Sequence, residues 1–231
     1  MKLLRNVWRR WFGRYEIEDP RPIVSEAPYT FFLPSENELL ALAPGDLTKI
    51  MIRSIPESLE WDAERMWVII TVTNGDMLEG TLDNEPCDIP QLKPGAKIRF
   101  RRSDVIDLQW ADNREVTPPS QPDRRQFWDR CLVDNCVLEG RSRVDYLYRD
   151  EPDMTGPDDL YPDSGWRIRG EPDAINDDEA NDRSPEYIAL GKVLNVDDSW
   201  IPLIDASVGS YFQRDATGKF VPVAPPDDAN D

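Results

Sequence analysis

Two stretches of the chain repeat their apolar residues at a regular period, and a polar stretch between them does not. In the first, from about Tyr29 to Trp110, Pro34-Ser35-Glu36-Asn37-Glu38 opens a short predicted helix carrying Leu39, Leu40 and Leu42. Ser35 has the chemistry to accept a hydrogen bond from the helix's first free N–H groups, and Pro44-Gly45 stops the helix. Beyond it the period falls to two. Leu47–Ser54, Arg65–Thr73, Met77–Leu82 and Lys97–Phe100 alternate, or run apolar with β-branched residues, and predict strands. Met66 to Val72, the longest apolar stretch, reads as a buried strand. Asn74-Gly75 predicts a type I′ hairpin turn, whose two central residues both need positive φ, and Lys93-Pro94-Gly95 marks another turn. Four or five short antiparallel strands with one helix predict a half-open barrel or strongly bent sheet.

The second stretch, from about Phe127 to Val223, mixes elements. Arg130–Val133, Val144–Tyr148 and Gly165–Arg169 predict short strands. Tyr187–Val196 predicts a helix, because Ile188, Leu190, Val193 and Leu194 recur at helical spacing behind Ser184 as cap and Pro185 at the first helical position. Tyr211–Gln213 and Phe220–Val223 predict a hairpin across Asp215-Ala216-Thr217-Gly218. The expected organisation is therefore two small domains of α+β class. It runs as a basic amphipathic segment at 1–15, a β-rich domain at 29–110, a Pro-rich linker at 111–126, an acidic α+β domain at 127–223 and a disordered acidic tail at 224–231.

Composition fits a packed but loop-rich protein, with 39% hydrophobic residues and eight Trp beside 21 Pro. No apolar run is long enough to span a bilayer. Three scattered cysteines, Cys87, Cys131 and Cys136, do not form a disulfide framework and point to a reducing, cytoplasmic setting. The first fifteen residues hold Lys2, Arg5, Arg9, Arg10 and Arg14 and no acid, with Leu3, Leu4, Val7, Trp8, Trp11, Phe12 and Tyr15 in one helical arc. Two readings stay open. Trp8, Arg9, Arg10 and Trp11 contact an anionic membrane surface, or a terminal helix docks its aromatics on the body, which is the reading preferred.

Charge changes the picture most. The chain has 45 acidic and 27 basic residues, a net charge of −18. Residues 145–198 hold sixteen Asp and Glu against five Arg and Lys. A field of that sign repels nucleic acid and attracts basic proteins. Nucleic-acid binding is excluded further because aromatics are not interleaved with Lys and Arg beyond the first fifteen residues.

For catalysis the chain offers little. Without histidine, acid–base work would fall to carboxylates, Lys, Tyr or Cys, and no matched pair stands out. Asp163-Ser164 is better read as part of a turn, in which Asp163 accepts backbone N–H bonds, Gly165 supplies a permissive backbone and Trp166 anchors the turn on the core. The carboxylates Asp173, Asp177, Asp178, Glu179 and Asp182, with Asn176 and Asn181, lack the glycine and glutamate positions of a calcium loop. They read as a solvated acidic loop between Glu171 and Asp182. Cys131 and Cys136 have no second pair for zinc. No metal or cofactor is expected.

Two resemblances add to this. Glu64-Arg65-Met66-Trp67-Val68, Gly80-Thr81-Leu82-Asp83-Asn84-Glu85-Pro86 and Leu92-Lys93-Pro94-Gly95 make the first region resemble the bacterial domain of unknown function family 2314, which implies a domain but no activity. The second region carries Cys131-Leu132-Val133, Tyr148-Arg149-Asp150-Glu151-Pro152, Asp163-Ser164-Gly165-Trp166-Arg167 and Val208-Gly209-Ser210-Tyr211-Phe212-Gln213-Arg214. It resembles the domain of unknown function 2185, grouped with the immunity protein 33 family of polymorphic toxin systems. That resemblance implies a non-enzymatic protein that neutralises a toxin by binding it. Charge complementarity then makes a basic toxin the expected partner, and Asp158, Asp159, Tyr161, Asp163, Trp166, Asp177, Asp178, Glu179 and Asp182 the expected contacts, with Trp200 as a further aromatic anchor. The alternative is a scaffold or regulatory interaction module, tethered at its N-terminus.

Overall fold

The computed structural model describes residues 9, 11–57, 61, 63–112 and 124–226. They divide into two units, one formed by residues up to Glu26 together with Phe31–Arg124, the other by Ala27–Thr30 together with the chain from Arg125 onward. Most of the basic segment, including Trp8 and Arg10, most of the linker and the end of the acidic tail lie outside the described residues.

The first unit follows its period-two pattern. Strands β1 (Arg14–Ile17), β2 (Leu47–Ile55), β3 (Glu64–Asn74), β4 (Met77–Leu82) and β5 (Lys97–Arg101) pair in chain order, all antiparallel. A 3-10 corner at Arg102–Asp104 then turns the chain into β6 (Val105–Gln109), which returns to pair with β2. The result is a nearly closed antiparallel barrel whose inward positions are filled by Ile50, Ile52, Val68, Ile70, Leu78, Ile98, Phe100 and Val105. Neither β1 nor β6 follows from the sequence pattern, because their registers are supplied by β2 and not by a local turn. Helix α1 spans Arg21–Glu26, and α2 spans Glu36–Ala41 with the capping box complete: Ser35 accepts from the Glu38 N–H while the Glu38 carboxylate accepts from the Ser35 N–H. The hairpin turn differs from expectation by one residue. Asn74 still pairs with Met77, so Gly75 and Asp76 are central, and only Gly75 has positive φ (57°). That excludes type I′.

The second unit is a six-stranded mixed sheet, β10-β7-β9-β8-β11-β12. Its strands are β7 (Arg130–Val133), β8 (Tyr146–Arg149), β9 (Asp163–Arg169), β10 (Glu186–Ala189), β11 (Tyr211–Arg214) and β12 (Phe220–Pro222). Only β7 and β9 run parallel. Helices α3 (Asn135–Leu138), α4 (Pro172–Ala180) and α5 (Leu190–Val196) accompany the sheet, and Val133, Val137, Leu147, Trp166, Ile168, Val193, Leu194, Trp200 and Phe212 share one core. The α+β class holds.

Three local expectations are corrected. The Tyr187–Val196 helix is a strand, β10, followed by α5: Ile188 pairs with Cys131 of β7, and the helix begins only at Leu190. Asp163-Ser164-Gly165-Trp166 is the first half of the central strand β9 and not a turn. The solvated loop from Glu171 to Asp182 is α4. Pro172 stands at its start and Asp173 in its first turn, where an anion suits the helix dipole. Its end is closed by the Asp182 N–H donating to Glu179 O at 3.3 Å and the Arg183 N–H to Asp178 O at 2.9 Å, with Asp182 at φ 55°.

Candidate protein-interaction site

The central strand splits the acidic stretch in two. One group precedes β9, in the connection from Asp150 to Pro162; the other follows it, on α4. Seven residues of strand separate them by roughly 20 Å, so the acids are two patches and not one loop.

The first patch is held by the motif that follows it. The Asp163 carboxylate accepts from Arg167 through both oxygens, at 3.0 and 2.9 Å, and from the backbone N–H groups of Gly165, Asp153 and Met154 at 2.9, 3.2 and 3.2 Å. Burial alone would raise this carboxyl; the Arg167 guanidinium and the Gly165 and Met154 N–H groups outweigh it and hold the group below the ordinary carboxylate range. Arg167 also holds Asp153 at 2.9 Å, and the Asp163 N–H donates to Thr155 Oγ1 at 2.8 Å. Residues 163 and 167 lie on the same strand yet touch because β9 bulges between them: opposite Arg130 and Leu132 of β7 stand Asp163 and Arg167. Gly165 makes the bulge, at φ 79°, with the Asp150 N–H donating to its carbonyl at 2.9 Å. Trp166 points into the core against Trp200, 5.6 Å between ring centroids.

Above this base the connection shows Glu151, Asp153, Asp158 and Asp159 to solvent. The Gly156 N–H donates to Asp159 Oδ2 at 2.8 Å, and Tyr161 lies 6.0 Å from the Trp128 ring. Leu160, which carried no periodic signal in the sequence, is 82% exposed, and Met154 39%.

On the second patch, Asp178 is buried and accepts from the Cys136 N–H at 2.7 Å, from Arg183 Nε at 2.8 Å and from Arg141. Burial would raise it too, but Arg183, Arg141 and the Cys136 N–H hold it far below the usual range. Asp177 is exposed and paired with both Arg183 and Arg141. Glu179 and Asp182 are exposed. Burial, with the Asp178 carboxylate beside it, pushes the Cys136 thiol up to about 11, and burial raises Cys131 as well.

Of the residues singled out in the sequence, Asp158, Asp159, Tyr161, Asp177, Glu179 and Asp182 face solvent, while Asp163, Trp166, Asp178 and Trp200 are buried. A side chain without exposed area cannot touch a partner of the folded unit, so these four serve as frame. Arg9 is buried as well, donating to Asp88 Oδ2 at 2.7 Å and Ser54 Oγ at 2.9 Å. It is spent on the first unit and unavailable to lipid. Trp11 is 77% exposed. Among the described residues, no helix is long and apolar enough to cross a membrane, and no group of three or more Cys, Asp or Glu is arranged to hold a metal ion.

Residues 131–224 match the family model of the Immunity protein Imm33 domain. The match starts inside β7 and ends two residues past β12, so it spans the whole of the second sheet except β7's first residue. No curated protein and no solved structure matches the chain.

Proposed function

We propose that this protein is an immunity protein whose second unit binds a co-encoded toxin and blocks it by occlusion, without catalysis. The observation that carries the reading is the match of residues 131–224 to an immunity-protein domain. The surface chemistry supports a basic toxin. The exposed carboxylates of both patches, Asp158 and Asp159 on one and Asp177, Glu179 and Asp182 on the other, would steer a cationic cleft into place. A nuclease or another effector with a positively charged active site fits that field. The first unit's resemblance to the domain of unknown function family 2314 assigns it no activity, and the proposal gives it none.

The test is co-expression with the neighbouring gene in a sensitive host. Growth is expected to be restored by the full chain, and the two proteins are expected to co-purify. A neighbour that stays toxic and elutes alone would refute the reading.

A further inference from the structure

We infer that the toxin is gripped by the connection between β8 and β9, with Leu160 as its apolar anchor and the exposed carboxylates of the same connection, Glu151, Asp153, Asp158 and Asp159, as its charged contacts. The inference rests on the immunity reading and narrows it to one surface. The occupant it specifies is a protein face bearing an apolar recess fringed by Lys and Arg.

Three observations converge. First, β8 and β9 are antiparallel neighbours, which two residues can join, yet thirteen residues from 150 to 162 connect them without forming an element of their own. Second, that length is not slack. Arg167 and Asp163, both almost wholly buried, hold Asp153, the Met154 N–H and Thr155; Asp159 closes on Gly156; Tyr161 lies beside Trp128. A loop so tied has little conformational entropy left to lose on binding. Third, the apolar side chains of this tied loop do not turn inward. Leu160 is 82% exposed and Met154 39%. An exposed apolar side chain in a connection that also exposes four carboxylates supplies both parts of a charged interface, the apolar group setting the off-rate and the carboxylates setting the on-rate. The helical patch lacks such a centre: no large apolar residue of α4 is exposed.

The experiment measures association and dissociation rates of the full chain with the purified product of the neighbouring gene. Leu160→Ser, a surface change expected to leave folding intact, should speed dissociation by about tenfold or more and leave association within about twofold. Asp158→Asn with Asp159→Asn should slow association and flatten its dependence on salt. Dissociation of Leu160→Ser within about twofold of the unaltered protein, with binding intact, overturns the loop assignment and spares the immunity reading. So does a Glu179→Gln, Asp182→Asn protein that dissociates as fast as Leu160→Ser. No binding by the unaltered chain overturns both.

Discussion

Replacing Asp163 by alanine is expected to destabilise the second unit by about 3–5 kcal/mol, the range found when one partner of a buried ion pair is removed. The reason is what remains. Arg167 would keep its charge with only 7% of its side chain exposed, and the N–H groups of Gly165, Asp153 and Met154 would lose their acceptor. The exposed partner Asp153, itself tied through this carboxylate, cannot replace it. Hydrogen exchange at the amides of β9 reads the loss directly, as a fall in protection of roughly two to four orders of magnitude. Removing the stranded charge as well, with Arg167→Met, should return about 2 kcal/mol. A single variant as mild as a surface change, or a double variant no better than the single, would show that the pair does not hold the unit together. Acid should act on the same bond. The folded state holds Asp163 below its ordinary value, so the pair's stabilisation is complete above the unfolded pKa near 4 and is lost as pH falls through the folded one. Protection of β9 should therefore drop as the pH is lowered below about 4 in the parent and be flatter in Asp163→Ala/Arg167→Met.

Gly165→Ala should cost about 3 kcal/mol or more, from one added carbon. Its φ of 79° already penalises any L side chain by about 1–2 kcal/mol. In addition, a Cβ there would stand 2.2 Å from the carbonyl oxygen of Asp150, so the strand and the start of the loop would have to part. Gly209 is the matched comparison: φ is 81° and nothing lies within 4 Å of an added Cβ. Gly209→Ala should carry the conformational penalty alone, about 1–2 kcal/mol. Hydrogen exchange over β8 and β9 in the two variants isolates the clash as their difference. Equal losses would mean that the bulge does not need its close approach to Asp150.

How much of this was legible depended on where each element's partners lie. Helix α2 could be read because its capping box is closed by residues three apart, Ser35 and Glu38, and β4 because its apolar alternation is its own. Helix α4 could not. Its Asp-rich composition resembles a solvated loop, and the charge that would disfavour burial is neutralised at Asp178 by Arg141 and the Cys136 N–H, about forty residues away in the chain. Tyr187–Val196 has helical spacing throughout, and only pairing of its first part with β7 makes that part a strand. For the site, the sequence located the acidic stretch and the roles of Gly165 and Trp166, but every Asp in it looks alike. Which are frame and which are surface is decided at Asp163 by Arg167, reachable only across the bulge, and at Asp178 by Arg141 and Arg183. Leu160 was passed over because a lone apolar residue in a polar run has no period to mark it.

If the second unit meets a toxin through the β8–β9 connection, that connection is where binding must slow exchange. The decisive comparison is hydrogen exchange of the full chain, alone and with the product of the neighbouring gene. Amides of residues 151–161 are expected to gain more protection than those of any other described segment. Protection confined to the first unit, or falling on α4 while the connection exchanges as before, would contradict it.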